Sequence, residues 1–232
     1  MRARKGLPLA GGQGGSASSA VAGAVAANAL LGNPLDEAAL LLAALEAESA
    51  VAGRHADNIA PALVGGIVLV RSLEPLDIVR IPAPAALRVA LVHPEQRLRT
   101  ADARAVLPSA VDRGVALRQC ANVAAMVMAF ATNDLALLGR ALDDGIAEPA
   151  RARLLPGFAA AKQAALAAGA LGCSISGAGP SSFAFADSDD AAERIAGAMA
   201  RAYESHGINA TWRVASIDLV GARVEVAAAS NA

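Results

Sequence analysis

The sequence predicts an α+β fold in two parts, on three observations. Runs rich in β-branched residues gather between positions 67 and 92. Helical patterns fill most of the chain from Thr100 onward, interrupted near 171–186 by two more strand candidates. The 232 residues, 55% of them hydrophobic, leave room to bury a real core in one large domain or two small ones. Strands give way to helices between His93 and Thr100, which divides the chain into residues 1–95 and 96–232.

Each element has a local reason. Small residues from Ser18 to Leu31 predict a helix closed by Gly32-Asn33-Pro34. A leucine- and alanine-rich stretch, Asp36 to Val51, predicts a second helix. Gly53 to Asn58 is polar loop, and Ile59 to Val64 is expected as a short helix capped by Asp57 or Asn58. Gly65-Gly66 ends it. Ile67–Val70, Ile78–Ile81 and Leu87–Val92 are strand candidates, with Pro82 and Pro84 separating the last two. Asp102–Leu107, Val111–Ala131, Leu135–Leu142 and Pro149–Ala168 are predicted helices, and Gly169 and Gly172 break the pattern. Leu171–Ser176 and Ser182–Ala186 flank a Gly-Ala-Gly-Pro turn. An amphipathic helix, Ala191–Ser205, and a strand, Thr211–Asp218, complete the prediction.

Twenty basic residues against 21 acidic ones leave a net charge of −1 and no basic stripe, so neither a nucleic-acid nor an anionic-membrane partner is expected. Aromatic residues make up 3%, too few for base-stacking platforms. Cys120 and Cys173 lie in apolar surroundings without metal-ligand spacing and are expected as reduced, buried thiols, in keeping with a cytoplasmic location. No stretch reaches the roughly 18 uninterrupted apolar residues of a membrane span. The basic start, Met1 to Gly6, lacks the apolar core and cleavage site of a signal peptide.

The chemistry concentrates near the start, in Pro8-Leu-Ala-Gly-Gly-Gln-Gly-Gly-Ser-Ala-Ser-Ser19. Gly11, Gly12, Gly14 and Gly15 let the backbone turn tightly and approach a ligand. Ser16, Ser18 and Ser19 supply hydroxyls. The helix that follows aims free N–H groups and its positive dipole end back at the loop, an arrangement suited to polyphosphate. There is no Gly-Lys-Ser/Thr ending, so the loop is not of the Walker type, and no strand precedes it with dinucleotide-binding spacing. A flexible glycine/serine linker is the alternative for this stretch alone.

Pro8 to Ser19 resembles the ATP loop of the GHMP kinases, whose pattern is Pro-x-x-x-Gly-Leu-Gly-Ser-Ser-Ala; Gln13 stands for the usual leucine and Gly15 for the first serine. Three further segments are similar to homoserine kinases within that superfamily. They are Glu48 with Gly53-Arg-His-Ala-Asp-Asn-Ile-Ala-Pro61, Thr100-Ala-Asp-Ala-Arg-Ala-Val-Leu-Pro108, and Gly172-Cys-Ser-Ile-Ser-Gly-Ala-Gly-Pro-Ser-Ser182. Glu148-Pro-Ala-Arg151 through Phe158 fits the helix before the last motif. The four motifs run in order over nearly the whole chain.

The resemblance implies a GHMP-like two-domain architecture: an ATP-binding N-terminal domain over 1–95 and, over 96–232, a C-terminal α/β sandwich with ferredoxin-like elements. It implies an ATP-dependent homoserine kinase of threonine biosynthesis, with ATP, Mg²⁺ and L-homoserine as ligands. Pro8, Leu9, Ala10, Gly11, Gly12, Gln13, Gly14, Gly15, Ser16, Ala17 and Ser18 would bind ATP. Ser16 and Glu48 would hold Mg²⁺ and serve catalysis. Asp57 would pair with the substrate ammonium, Arg104 and Arg151 would fork onto its carboxylate, and Gly177 would shape the pocket. Each residue also has an ordinary reading: Asp57 as a helix cap, Glu48 as a solvated carboxylate, the arginines as surface charges, Gly177-Ala-Gly179 as a hairpin turn, His55 as a structural histidine.

Homoserine kinases carry an upstream motif, Pro-x-(Ser/Thr)-x-Asn-x-Gly-x-Gly-Phe-Asp, and this chain begins seven residues before Pro8. The expectation is therefore a truncated N-terminal domain with an exposed sheet edge, an association hazard compatible with a homodimer. Another GHMP small-molecule kinase, or an inert nucleotide-binding or oligomerising fragment, are the alternatives.

Overall fold

Capping residues and glycines set the ends of most elements in the computed structural model, which describes residues 2 and 4–225. The chain forms two compact units. One holds Ser16–Arg80 and the described residues from Asp218 on; the other holds Lys5–Gly15 and Ile81–Ile217.

In the first unit, α1 (Gly15–Leu30), α2 (Glu37–Ala52) and α3 (Ile59–Val64) accompany a two-stranded sheet of β1 (Ile67–Leu73) and β2 (Leu76–Ile81). Ala17 and Val21 of α1, Leu41 and Leu45 of α2, and Ile59 and Leu63 of α3 form its core. The Asp36 carboxylate caps α2 by accepting from Ala39 N at 2.9 Å. Asn28, the polar break in an apolar run, is buried for a reason. Its amide donates to Leu35 O (3.1 Å) and accepts from Leu35 N (3.0 Å), clamping the α1–α2 turn. Gly65 does more than stop α3. A Cβ there would lie 2.6 Å from Gly221 N, because the returning segment bonds alongside, Gly66 N to Asp218 O and Ala222 N to Leu63 O.

The second unit is built on an antiparallel sheet of order β4-β5-β3-β6, from β3 (Arg88–Pro94), β4 (Gly172–Ile175), β5 (Ser182–Ala186) and β6 (Ala210–Ala215). Alternation gives the strands two faces. Ala90, Val92, Cys173, Ala184 and Ala186 point to a core shared with α8 (Phe158–Ala167) and α9 (Asp189–Glu204), through Ala161, Ala165, Ile195, Met199 and Tyr203. This is the expected two-layer α/β arrangement. Leu91, His93, Phe183 and Arg213 lie on the other face by register. Phe185 shares that face and meets Phe130 of α5 (Arg113–Thr132) edge-on. α5 packs against α6 (Leu135–Ala141). It is, among the described residues, the one helix long and apolar enough to cross a membrane, although Arg118, Gln119 and Asn122 interrupt its apolar run.

Three expectations need correction. The helix predicted over Pro149–Ala168 is two, α7 (Ala147–Ala152) and α8, because Pro156 has no N–H and Gly157 turns with φ +80°. Cys120, on α5, is exposed; only Cys173 is buried, and burial pushes its thiol up to about 12. The last strand ends at Ala215, three residues early. β3 pairs with β5 and β6 and lies in the second unit.

Candidate functional site

The glycine-rich loop is a packed structure. Ala10, Gly12 and Gly14 take φ of +53°, +70° and +69°. The β4–β5 turn lies against them. Ser176 Oγ donates to Gly12 O at 2.9 Å, and Ser181 N donates to Gly11 O at 3.4 Å. The approach leaves no room for side chains: a Cβ on Gly12 would sit 2.3 Å from Ser176 O, and one on Gly177 3.0 Å from Gly12 O. The Gly177-Ala-Gly179 stretch is therefore both a hairpin turn, since Ile175 pairs with Ser182, and the surface on which the loop rests. Helix α1 starts at Gly15 rather than Ser18, so Ser16, Ala17 and Ser18 form its first turn and their N–H groups belong to the loop's end of the helix. Pro8 and Leu9 precede the tight turn; Leu9 is exposed.

Gln13 carries an extended hydrogen-bond chain. Arg213 Nη2 donates to Gln13 Oε1 (2.6 Å), and Gln13 Nε2 donates to Ser181 Oγ (2.8 Å). Ser181 Oγ lies 3.0 Å from His93 Nδ1. Ser181 is fully buried. Burial lowers the His93 pKa below its ordinary value, opposed by Glu95.

In the first unit, Ser16 Oγ donates to Glu48 Oε1 at 2.7 Å, and Glu48 is 7% exposed. Two residues 32 positions apart thus meet, and Glu48 is no solvated carboxylate. Their hydroxyl and carboxylate are hard oxygens of the kind Mg²⁺ takes when substrate phosphates complete its shell. Among the described residues no group of three or more His, Cys, Asp or Glu could hold a metal unaided. The residues fit a nucleotide-borne Mg²⁺ better than a protein-enclosed ion. Asp57 and His55 are exposed. The Asp57 carboxylate accepts from Asn58 N at 3.1 Å, and Asn58 takes the N-cap position of α3 without a side-chain cap bond.

Arg104, Arg151 and Gly177 gather in the second unit. Arg151, on α7, donates through Nε to Ala103 O (3.1 Å) and through Nη1 to Gly177 O (2.9 Å). One guanidinium thus ties the β4–β5 turn to α4 (Thr100–Ala105), the helix that carries exposed Arg104. Glu148 has no role legible in the sequence. Its carboxylate accepts from Ser174 Oγ at 2.7 Å and pairs with Lys162, joining α7 to β4 and α8 one turn from Arg151. Sequence spacing offers no signal for the Gln13–Ser181–His93 chain either, because its members lie 168 and 88 positions apart.

Comparison with known proteins agrees with this geometry. Residues 1–66 match the family model of the GHMP kinases N-terminal domain, and residues 126–205 that of the GHMP kinases C-terminal domain. The chain is 49% identical over 224 residues to a homoserine kinase of Chlorobium phaeovibrioides, covering 95% of this chain and 70% of the relative. It is 45% identical to a homoserine kinase of Arabidopsis thaliana, covering 95% of this chain and 60% of that protein. Against several curated relatives, then, the chain spans less than two thirds of their length. A crystal structure of homoserine kinase from Cytophaga hutchinsonii superimposes with a TM-score of 0.91 at 46% identity, over 94% of this chain and 69% of that one. Mevalonate kinase of L. major shares the fold, with a TM-score of 0.71 at 18% identity over 91% and 67% of the two chains.

Proposed function

This chain belongs to the homoserine kinase family of the GHMP kinases, and we infer that it transfers the γ-phosphoryl group of ATP to the side-chain hydroxyl of L-homoserine. The products are ADP and O-phospho-L-homoserine, an intermediate of threonine biosynthesis made in the cytoplasm. The observation that carries the reading is the interlock of the glycine loop with the Ser176–Ser181 turn, which packs glycine backbone closely at the start of a helix. In this reading residues 1–95 belong to the ATP-binding domain and 96–232 to the C-terminal domain.

The roles are those the family resemblance implies, and each suits the chemistry of its residue. Backbone N–H groups of Gly11 to Gly15 and the first turn of α1 hold the phosphates and offset charge on the group in transit. Ser16 and Glu48 would hold Mg²⁺, which would supply Lewis-acid neutralisation of phosphate charge. Arg104 and Arg151 bind the acceptor's carboxylate, with Arg151 held in place by its bonds to Ala103 and Gly177. Asp57 receives the ammonium group. The acceptor oxygen forms a bond to the γ-phosphorus while the bond to the β–γ bridging oxygen breaks, ADP leaves, and the hydroxyl proton is released to solvent. The loose transition state builds little charge on the attacking oxygen, so alignment suffices without a strong base.

A coupled ADP-release assay with L-homoserine, mevalonate and galactose tests the assignment. Turnover of homoserine alone is expected, and turnover of either other acceptor without homoserine would overturn it. Glu48→Gln keeps the side chain's shape and removes its charge. It is expected to raise the Mg²⁺ concentration for half-maximal rate at least 10-fold; an unchanged Mg²⁺ dependence removes Glu48 from the site.

A further inference from the structure

We propose that Gln13 is a positioning residue, which holds the phosphate loop in its binding conformation through Ser181, His93 and Arg213 before nucleotide arrives. This rests on the reading of the loop as a phosphate site.

The loop needs such a hold. Gly12 and Gly14, on either side of Gln13, both take positive φ, and glycines lose more conformational freedom on ordering than other residues. The backbone bonds at Gly11 and Gly12 fix the first half of the turn. Gln13 fixes the second half, through a side chain that bonds at both ends of its amide.

Donors and acceptors then order the chain in one direction. A guanidinium only donates, so Arg213 must donate and the Gln13 oxygen must accept. That orients the Gln13 amide with its nitrogen toward Ser181. The serine oxygen accepts from it, and the serine hydroxyl hydrogen is left to donate to His93 Nδ1. A fully buried hydroxyl has no water to take that hydrogen instead. His93 must therefore be unprotonated at Nδ1. Turning the Gln13 amide over would set its NH2 against the guanidinium, two donors facing each other, so Arg213 fixes one orientation of the amide. The members come from β3, β6 and the start of β5, three strands of one sheet. The loop is thereby tied to the sheet of its unit.

An anchor of this kind acts on binding rather than on the chemical step. Without it, nucleotide must order the loop, and affinity falls by that cost. Gln13→Met preserves length and removes both polar ends. Calorimetry with Mg²⁺-ATP is expected to show about 10-fold weaker binding, the size of a lost pair of hydrogen bonds, one of them to a charged group. In turnover, KM for ATP should rise by the same factor, with kcat and KM for homoserine within about twofold of the parent. Arg213→Met should weaken binding several-fold and Arg213→Lys should restore most of it. The double variant Gln13→Met/Arg213→Met should lose little more than Gln13→Met alone, because both changes cut the same chain.

Parent-like affinity in Gln13→Met, or losses that add in the double variant, overturn the proposal; additive losses would mean Arg213 acts on nucleotide by charge alone. A lowered Tm with unchanged affinity would reduce Gln13 to a structural residue and equally overturn it. If the parent chain itself binds no nucleotide, the phosphate-loop reading fails and this inference fails with it. Because the calorimetry needs no acceptor, a wrong acceptor assignment leaves the test intact.

Discussion

Gly12→Ala is the sharpest test of the interlocked loop. Gly12 has φ +70°, and a Cβ added to it would lie 2.3 Å from Ser176 O, 2.7 Å from Gly179 O and 2.8 Å from Gly179 N. All three neighbours are backbone, so none can rotate away. A carbon–oxygen approach of about 3.3 Å is the ordinary limit, and the loop must retreat by about 1 Å to reach it. Retreat breaks the 2.9 Å bond from Ser176 Oγ to Gly12 O. The left-handed backbone costs an alanine about 1–2 kcal/mol, and the lost bond about 1 kcal/mol more. The sum, about 2–3 kcal/mol, corresponds to roughly 30- to 150-fold in affinity if the loop abandons its conformation. The assay is calorimetric titration with Mg²⁺-ATP, alongside thermal unfolding to show that the sheet and α9 stay folded. Gly15→Ala is the control. Gly15 opens α1, and a Cβ there meets nothing nearer than Pro8 O at 3.7 Å, so affinity should change by less than about threefold. Parent-like affinity in Gly12→Ala, or equal losses in the two variants, would refute the claim that the β4–β5 turn dictates the loop's shape.

Two further outcomes follow from buried polar groups. Asn28→Ala removes both bonds to the Leu35 backbone and leaves that peptide unit to find other partners; urea unfolding should show a loss of about 2–3 kcal/mol, and a loss under about 0.5 kcal/mol would deny the clamp. His93 has a folded pKa below its unfolded value, chiefly through burial. The unfolded chain therefore takes up a proton first as pH falls. The histidine's contribution is complete above about pH 6.5 and is lost as pH falls through the depressed folded value. Thermal melts between pH 8 and 5 should show a steeper acid-side decline for the parent than for His93→Gln, and parallel curves would remove His93 from that role.

The elements that the sequence makes legible are those whose cause is local. Asp36 three residues before the Ala39 amide, Gly32-Asn33 after an alanine-rich run, and Gly169 after a helical stretch are read within one turn of chain, and the ends of α2, α3 and α9 lie within two residues of expectation. The break between α7 and α8 is equally local, yet the alanine pattern on both sides outweighs Pro156-Gly157 in the sequence. Exposure of Cys120 is not local: it depends on which side of α5 other elements cover, and an apolar neighbourhood in sequence carries no such information.

The site divides the same way. Glycines 11 to 15 announce a loop, and ordered motifs link it to Glu48 and to the 172–182 turn. What they leave out is why the loop has one shape. That depends on Ser181, buried at the start of β5; on His93, brought beside it by the β3–β5 register; and on Arg213, placed on the same face by the β3–β6 register. A shift of one residue in either register would turn His93 or Arg213 to the α9 side of the sheet. Gln13, which stands where the family pattern has leucine, then has a positive explanation. A side-chain amide can accept from a guanidinium and donate to a hydroxyl without adding charge beside the proposed phosphate site, which no carboxylate or ammonium can do. The geometry of the sheet and the identity of residue 13 thus constrain each other, and a leucine placed there should leave Ser181 and Arg213 without the partner each has now.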